Sequence, residues 1–334
     1  MGAAELKYDE MAIHETGIAR MCAVLGVLTV ITGGAGCAPG RATMPGAINV
    51  SDTPVGSPLR IRAAGRIVSV SLERYVLGAA LSEVTPTGTT AATAARVYEV
   101  QAVIARTYAM THRHRHAAEK FDLCDTTHCQ VYQPDRIKTS SFSATAEAAV
   151  GRTRGQVLRI GSATIDALFH ADCGGHTTTP AAAWRGTNHA YLPAREDVVP
   201  GLTHRTWSFE ASEADWHTLL NGDPRTSVGA VFRSMDVTAT GPGDRVTALR
   251  LVGARERVVT GEVLRTVVTA ARTPRALMST RFTVHRTPAG FRLVGSGFGH
   301  GVGLCQVGAI ARAGRGDSVT EILAHYFPGA KVQK

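Results

Sequence analysis

The chain has 334 residues, of which 44% are hydrophobic and 19% charged. This composition is that of a globular protein able to bury one large core or two, and it excludes a disordered or collagen-like chain. The formal net charge is +9, but the sequence has no basic cluster interleaved with aromatic residues and no zinc-finger spacing, so we expect no nucleic-acid partner.

The first predicted element is an export signal. Residues 23–31 form an apolar run that has the length of a signal-peptide core and is too short to span a bilayer. The small residues before Cys37 resemble a lipoprotein box, although Gly34 stands where an aliphatic residue is usual. We expect residues 1–37 to be a signal peptide or a lipoprotein signal, with Cys37 as the candidate for lipidation.

Two alternatives remain open for this segment. Its four acidic residues are unusual in a signal, so translation could start at Met11 or Met21. The apolar run could instead be a buried amino-terminal strand. We favour export to the cell envelope, in the periplasm or at the outer face of the membrane, with membrane contact only through this segment.

Residues 38–58 are rich in Pro, Gly, Ser and Thr and predict a linker to one folded domain over 59–334. Residues 59–63 alternate as a strand, and 72–81 carry apolar residues at helical spacing. Pro86 closes that helix, which leaves Glu83 at or just past its carboxyl end as a candidate acid.

Further helices are expected at 91–117, 143–151 and 320–326, with strands at 156–160 and 164–170. Strands and helices do not alternate strictly, which favours an α+β fold over a doubly wound sheet. We expect a mixed sheet-and-helix domain with a substrate cleft, formed by one lobe or two.

A short run after the second long helix is rich in metal ligands. Cys124, His128 and Cys129 lie within six positions, and His116 is the nearest upstream histidine. These four residues predict a Zn²⁺ site that is structural rather than catalytic. A Cys124–Cys129 disulfide, or free thiols, is the alternative, because an exported chain with four cysteines in its folded part could also form two disulfides.

Four segments in order resemble the family of stage II sporulation protein D and the LytB-type amidase enhancers. They are Tyr75–Val84, Gln101–Ala109, the Cys124–Tyr132 run with Phe169–Gly175, and Gly297–Ala309 with Ile322–Gly329. The resemblance implies an enzyme of peptidoglycan, a lytic transglycosylase that cuts glycan strands whose stem peptides have been removed. It also implies the alternative of a non-catalytic wall-binding module that stimulates a cell-wall amidase.

In this family the catalytic residue is a glutamate, which corresponds to Glu83 here. The segments supply the other candidate site residues, which we expect to contact substrate or to orient Glu83: Gln101, Arg106, His170, His300 and Gln306. Arg106 could instead pair with a surface carboxylate. His170 and His300 could instead be turn residues bonded to nearby backbone.

The sequence departs from the family at Cys305, where a small polar residue is usual, and it has no repeat modules upstream. Residues 38–334 carry 34 Lys and Arg against 23 Asp and Glu, a net charge of +11 that favours anionic wall polymers or membrane surfaces. The resemblance implies glycan strands and a cell-wall amidase as partners.

Overall fold

The computed structural model describes residues 58–334. Within this part the chain forms nine α-helices and fourteen short strands arranged in small sheets, which confirms the α+β class. The helices are α1 (Leu72–Glu83), α2 (Ala91–Thr111), α3 (Arg136–Thr139), α4 (Ser143–Arg152), α5 (Pro180–Trp184), α6 (Glu213–Asn221), α7 (Gly261–Ala271), α8 (Gln306–Arg315) and α9 (Val319–Tyr326). The predicted signal, Cys37 and nearly all of the predicted linker lie outside the described residues.

The strands are short, and most belong to sheets of two or three. They are β1 (Leu59–Ala63), β2 (Arg66–Val70), β3 (Leu123–Cys124), β4 (Val157–Ile160), β5 (Ala163–Thr164), β6 (Phe169–His170), β7 (Thr206–Ser212), β8 (Phe232–Gly241), β9 (Arg245–Gly253), β10 (Glu256–Val259), β11 (Phe282–Arg286), β12 (Gly290–Ser296), β13 (Leu304–Cys305) and β14 (Lys331–Gln333).

A first hydrophobic core forms around α2. Its residues from Val100 to Ala109 are buried on every face of the helix, and α1, α4, α8 and α9 pack against it. A helix that is buried all round occupies the centre of a core rather than its surface. The elements from β1 to β6 and those from β13 to α9 therefore share one interior.

The hairpin of β1 and β2 positions the start of the metal-ligand segment, because β1 also pairs with β3, which contains Cys124. The turn between the strands uses positive φ at Ala64 and Gly65, which suits a tight hairpin. β3 then pairs in parallel with β1, so that Ile61 lies opposite Leu123 and Arg62 opposite Cys124. This pairing fixes where the loop after Cys124 begins.

A second hydrophobic core lies between Trp207 and Leu293 in the chain. The sheet of β10, β9 and β8 and the sheet of β11, β12 and β7 enclose it together with α6 and α7. Trp216 is fully buried and donates its indole N–H to the carbonyl oxygen of Phe291 at 3.0 Å.

Two predicted elements differ from the structure. The helix expected at 91–117 ends at Thr111, because the following residues turn and His114 adopts a positive φ of 74°. The strand expected at 164–170 is divided into β5 and β6. No helix within residues 58–334 is long and apolar enough to cross a membrane.

Candidate functional site

Glu83 is the last residue of α1, as predicted. Ser71 precedes the helix and its hydroxyl caps the first turn, and the helix ends because Val84 adopts an extended conformation two residues before Pro86. The Glu83 side chain is half-buried, and its Oε1 accepts a hydrogen bond from the backbone N–H of Val131 at 2.5 Å. The carboxyl group is therefore held in place by the backbone of the facing loop.

Burial raises the pKa of Glu83 from 4.5 to about 7, and the hydrogen bond from Val131 opposes that rise. The flanking residues Leu81 and Val84 are buried as well. Within the described chain Glu83 forms no ion pair with a basic side chain. A carboxyl group with this pKa can both donate and accept a proton near neutral pH.

The loop from Asp125 to Tyr132 is fastened to α1 by several contacts. Tyr75 donates its hydroxyl to Gln130 Oε1 at 3.0 Å, and Ser82 Oγ accepts from the N–H of Gln133 at 2.9 Å. The rings of Tyr75 and Tyr132 stack at 5.1 Å. Gly78 permits this approach, since a Cβ there would lie 2.5 Å from the Tyr132 ring. The loop thus presents the Val131 N–H to Glu83 from a packed position.

The structure brings the four predicted metal ligands together. One donor atom each from His116, Cys124, His128 and Cys129 lies within 4.8 Å of all the others. Cys129 Sγ is 3.4 Å from His116 Nε2, and both sulfurs are 3.8 Å from His128 Nδ1. His116 Nδ1 contacts Glu119 Oε1 at 2.6 Å, which is the second contact that metal-bound histidines usually make. This donor set suits tetrahedral Zn²⁺.

The two thiols of this cluster differ in acidity. Burial raises the pKa of Cys129, whereas at Cys124 the effect of burial is outweighed by hydrogen bonds from Thr126 and His128, which lower its pKa. All four cysteines of the described residues are free thiols, so neither of the disulfides considered above is present there. A thiol that ionises readily is one that binds a metal readily.

The predicted substrate residues on α2 are buried. Gln101 Oε1 accepts from Gln306 Nε2 at 3.4 Å, a contact that joins α2 to α8. Arg106 is 0% exposed and forms a two-point ion pair with Glu73, at 2.9 Å from Nε and 2.6 Å from Nη2. Because Arg106 lies in the core, its guanidinium has no exposed surface that could contact a substrate. Its carboxylate partner is the buried Glu73 and not a surface residue.

The two predicted histidines lie beside each other near the glycine-rich loop, with ring centroids 5.4 Å apart. His300 is half-buried; its Nε2 contacts the Phe169 carbonyl oxygen, and its Nδ1 accepts from the N–H of Val302. His170 is buried, and its Nδ1 contacts the Val302 carbonyl oxygen at 3.1 Å. Both rings are therefore fixed by backbone groups.

Two features were not expected from the sequence, the Val131 N–H beside Glu83 and the Trp184 ring beside His300. The Val131 N–H is a backbone group, and no side-chain pattern signals it. Trp184 is 43% exposed, and its ring lies against His300 in a tilted arrangement with 4.9 Å between ring centroids. An exposed aromatic ring beside a glycine-rich loop is a surface on which a sugar can stack. The chain has three tryptophans, so Trp184 could have been singled out from the sequence as a candidate sugar contact.

Comparison with known families matches two parts of the chain. The model of the stage II sporulation protein (SpoIID) family matches residues 62–159, which contain Glu83 and the His116, Cys124, His128 and Cys129 cluster. A domain of unknown function, DUF8618, matches residues 204–303, which contain the second core.

Curated relatives match most of the chain. An uncharacterized protein of Brachyspira hyodysenteriae is 30% identical over 265 residues, which are 79% of this chain and 67% of that protein. The stage II sporulation protein D of Bacillus subtilis is 27% identical over 303 residues, 86% of this chain and 82% of that protein. The amidase enhancer of Bacillus subtilis is 26% identical over 272 residues, 69% of this chain but 37% of the enhancer.

Proposed function

Because the chain belongs to the family of stage II sporulation protein D and the LytB-type amidase enhancers, we propose that it is a lytic transglycosylase of peptidoglycan. Glu83 is the general acid and base, and denuded glycan strands are the substrate. The observation that carries the proposal is the position of the Glu83 carboxyl group, at the end of α1 and bonded to the Val131 N–H, where burial raises its pKa to about 7.

One carboxyl group is sufficient for this reaction. In its protonated form Glu83 donates a proton to the glycosidic oxygen as the bond to the anomeric carbon breaks. The resulting carboxylate accepts the proton of the muramyl 6-hydroxyl, whose oxygen attacks the anomeric carbon and closes an anhydro ring. Water is not consumed, and Glu83 ends the cycle with its proton restored.

The hydrogen bond from Val131 gives Glu83 a defined role in both steps. It stabilises the carboxylate that exists between the two proton transfers, because a backbone N–H bonds a charged acceptor more strongly than a neutral one. Burial has the opposite effect and keeps the acid form populated near pH 7. Burial and the hydrogen bond together leave both the protonated and the ionised form of Glu83 accessible near pH 7.

Zn²⁺ bound by His116, Cys124, His128 and Cys129 would act as a structural ion in this proposal. When bound, such an ion fixes the loop that begins at Cys124 by coordinating side chains from both its start and its middle. The residues of the same loop then hold the Val131 N–H against Glu83. Metal therefore supports the acid through the protein and takes no part in the bond cleavage.

Glycan binding is assigned to the surface near His300 and Trp184 and to the positive net charge of the chain. The Trp184 ring can stack on a sugar face, while Gln101, His170 and Gln306 support this region from the interior. The proposed location is the cell envelope, reached through the predicted export signal and anchored, if lipidated, at Cys37.

The second candidate function is a non-catalytic module that stimulates an N-acetylmuramoyl-L-alanine amidase. It is favoured by the relative named amidase enhancer and by the burial of four of the five predicted substrate residues. In that case the protein would hold glycan without cutting it.

The test is incubation of the purified protein with intact and with amidase-denuded glycan strands, followed by mass analysis of the products. Glu83→Gln is the test variant, and Glu256→Gln, an exposed glutamate on β10, is the matched control. We expect anhydromuramyl ends from the native protein and the control but none from Glu83→Gln. Reducing ends formed by water would identify a hydrolase, and binding without cleavage in all three proteins would identify the amidase-enhancing module.

A further inference from the structure

A second cluster of buried metal ligands is formed by residues outside α1 and outside the loop after Cys124. The strands β6 and β13 pair in parallel, with Phe169 opposite Leu304 and His170 opposite Cys305. The turn after β6 brings Cys173 to the same place. One ring nitrogen of His170 and the sulfurs of Cys173 and Cys305 all lie within 4.8 Å of one another.

His170 has the arrangement of a metal-bound histidine. Its side chain is 4% exposed, and its Nδ1 contacts the carbonyl oxygen of Val302 at 3.1 Å. Its Nε2 is buried and has no hydrogen-bond partner within the described residues. A backbone carbonyl that holds one nitrogen commonly fixes the other nitrogen as the ligand. An unpaired buried nitrogen is costly, so it needs a partner that the protein alone does not supply.

Backbone N–H groups converge on both sulfurs. Cys305 Sγ accepts from the N–H of Cys173 at 3.2 Å and from that of Gly308 at 3.4 Å, and Cys173 Sγ accepts from the N–H of Gly175 at 3.3 Å. Gly174 and Gly175 both have positive φ, which lets the turn direct its N–H inward. Hydrogen bonds to sulfur stabilise thiolates, the form in which cysteine binds metal.

We infer that His170, Cys173 and Cys305 bind a second Zn²⁺ ion, independent of the cluster beside Glu83. The buried guanidinium of Arg245 lies close by and donates to the Cys173 carbonyl oxygen at 3.2 Å. Because two thiolates neutralise the charge of the ion, the site does not place a net positive charge beside this guanidinium. Asp197 Oδ2 lies 3.5 Å from Cys173 Sγ and accepts from the Tyr326 hydroxyl at 2.7 Å, so it borders the cluster without being one of its ligands. A Cys₂His set with one further ligand is a known zinc geometry.

The ion would join two parts of the chain that are far apart in sequence. β6 belongs to the segment after α4, whereas Cys305 caps α8, which packs on α2. A tetrahedral ion at this point would fasten the glycine-rich loop, including His300, to the first core. The role of this site is structural, and it does not depend on whether Glu83 is catalytic.

The test measures the zinc content of the purified full chain by elemental analysis, for the native protein and three variants. Cys124→Ser/Cys129→Ser removes the first cluster and leaves the second intact, whereas Cys305→Ser preserves an acceptor for the two N–H groups but removes a thiolate. We expect the native protein to hold about two ions, each of these variants about one, and the combined triple variant about none.

Replacement of zinc by Co²⁺ in the Cys124→Ser/Cys129→Ser protein adds a readout that leaves the second cluster unaltered. Thiolate-to-cobalt charge-transfer absorption, with the visible bands of tetrahedral cobalt, is the expected result. Absence of metal from this variant overturns the inference, and so does unchanged zinc content in Cys305→Ser. A peptide in which Cys173 and Cys305 are joined, detected by mass after non-reducing digestion, would show a disulfide there instead.

Discussion

The raised pKa of Glu83 makes a prediction about stability as well as about catalysis. A carboxyl group whose pKa is higher in the folded state keeps its proton longer there than in the unfolded chain. Stability therefore falls as the pH rises from 4.5 to about 7, because ionisation costs more in the fold than in water. Below this window Glu83 is protonated in both states and has no such effect.

Glu83→Gln removes that cost without removing the hydrogen bond. The glutamine oxygen can still accept from the Val131 N–H, and the side chain keeps its shape. A pKa rise from 4.5 to about 7 corresponds to about 3 kcal/mol. Solvent contact of the half-buried group reduces this, so we expect the variant to be about 1–3 kcal/mol more stable at pH 8. The advantage should vanish near pH 4.

The assay is urea unfolding of the native protein, Glu83→Gln and Glu256→Gln at a series of pH values between 4 and 8. The quantity to compare is the difference in unfolding free energy between each variant and the native protein. The contributions of all other titrating groups are the same in both proteins and cancel in this difference. A gain for Glu83→Gln that is the same at every pH, or largest in acid, would refute a pKa raised by burial. Loss of cleavage together with gained stability is the usual signature of a catalytic group.

Three further predictions concern other parts of the site. Cys129→Ser should release zinc from the first cluster and lower the cleavage rate roughly tenfold or more, because the loop that holds Val131 loses its anchor; full activity in zinc-free protein would contradict this. Arg106→Ala should lower the unfolding free energy by about 3–5 kcal/mol, since it leaves Glu73 buried without its partner. Urea unfolding measures this, and an unchanged midpoint with lost glycan binding would instead indicate a substrate contact. Trp184→Ala should weaken glycan binding by about tenfold in a sedimentation assay with unaltered stability, because the ring is largely at the surface; undiminished binding would exclude the stacking role.

Local patterns were sufficient to predict α1 and the position of Glu83. Apolar residues recur at helical spacing up to Leu81, and Pro86 prevents the helix from continuing, so the end of the helix was defined within a few residues. The hydrogen bond from Val131 was beyond reach, because it joins residues that are 48 positions apart. Such a contact depends on how β3 pairs with β1, and no periodicity encodes that pairing.

The metal ligands also show which features local sequence can predict and which depend on long-range pairing. His116, the nearest histidine upstream of Cys124, is the one that joins the two thiols, whereas His112 and His114 contact Asp166 and Asp122. In contrast, the meeting of Cys173 with Cys305 could not be predicted, because it depends on the parallel pairing of β6 with β13. The early end of α2 was missed for a local reason, the positive φ of His114.

The residues of the second core lie, along the chain, between the two segments that form the first core. The pairing of β7 with β12 places Thr206 opposite Ser296, so the inserted segment leaves and re-enters the first core at adjacent points. α8 and α9 complete the interior around α2 only after the whole insertion has emerged. During synthesis the segment matched by the sporulation family model, 62–159, must wait for more than a hundred further residues before α8 and α9 can close its core. A fragment that ends near residue 160 lacks α8 and α9 and should therefore leave the faces of α2 that they cover exposed to water.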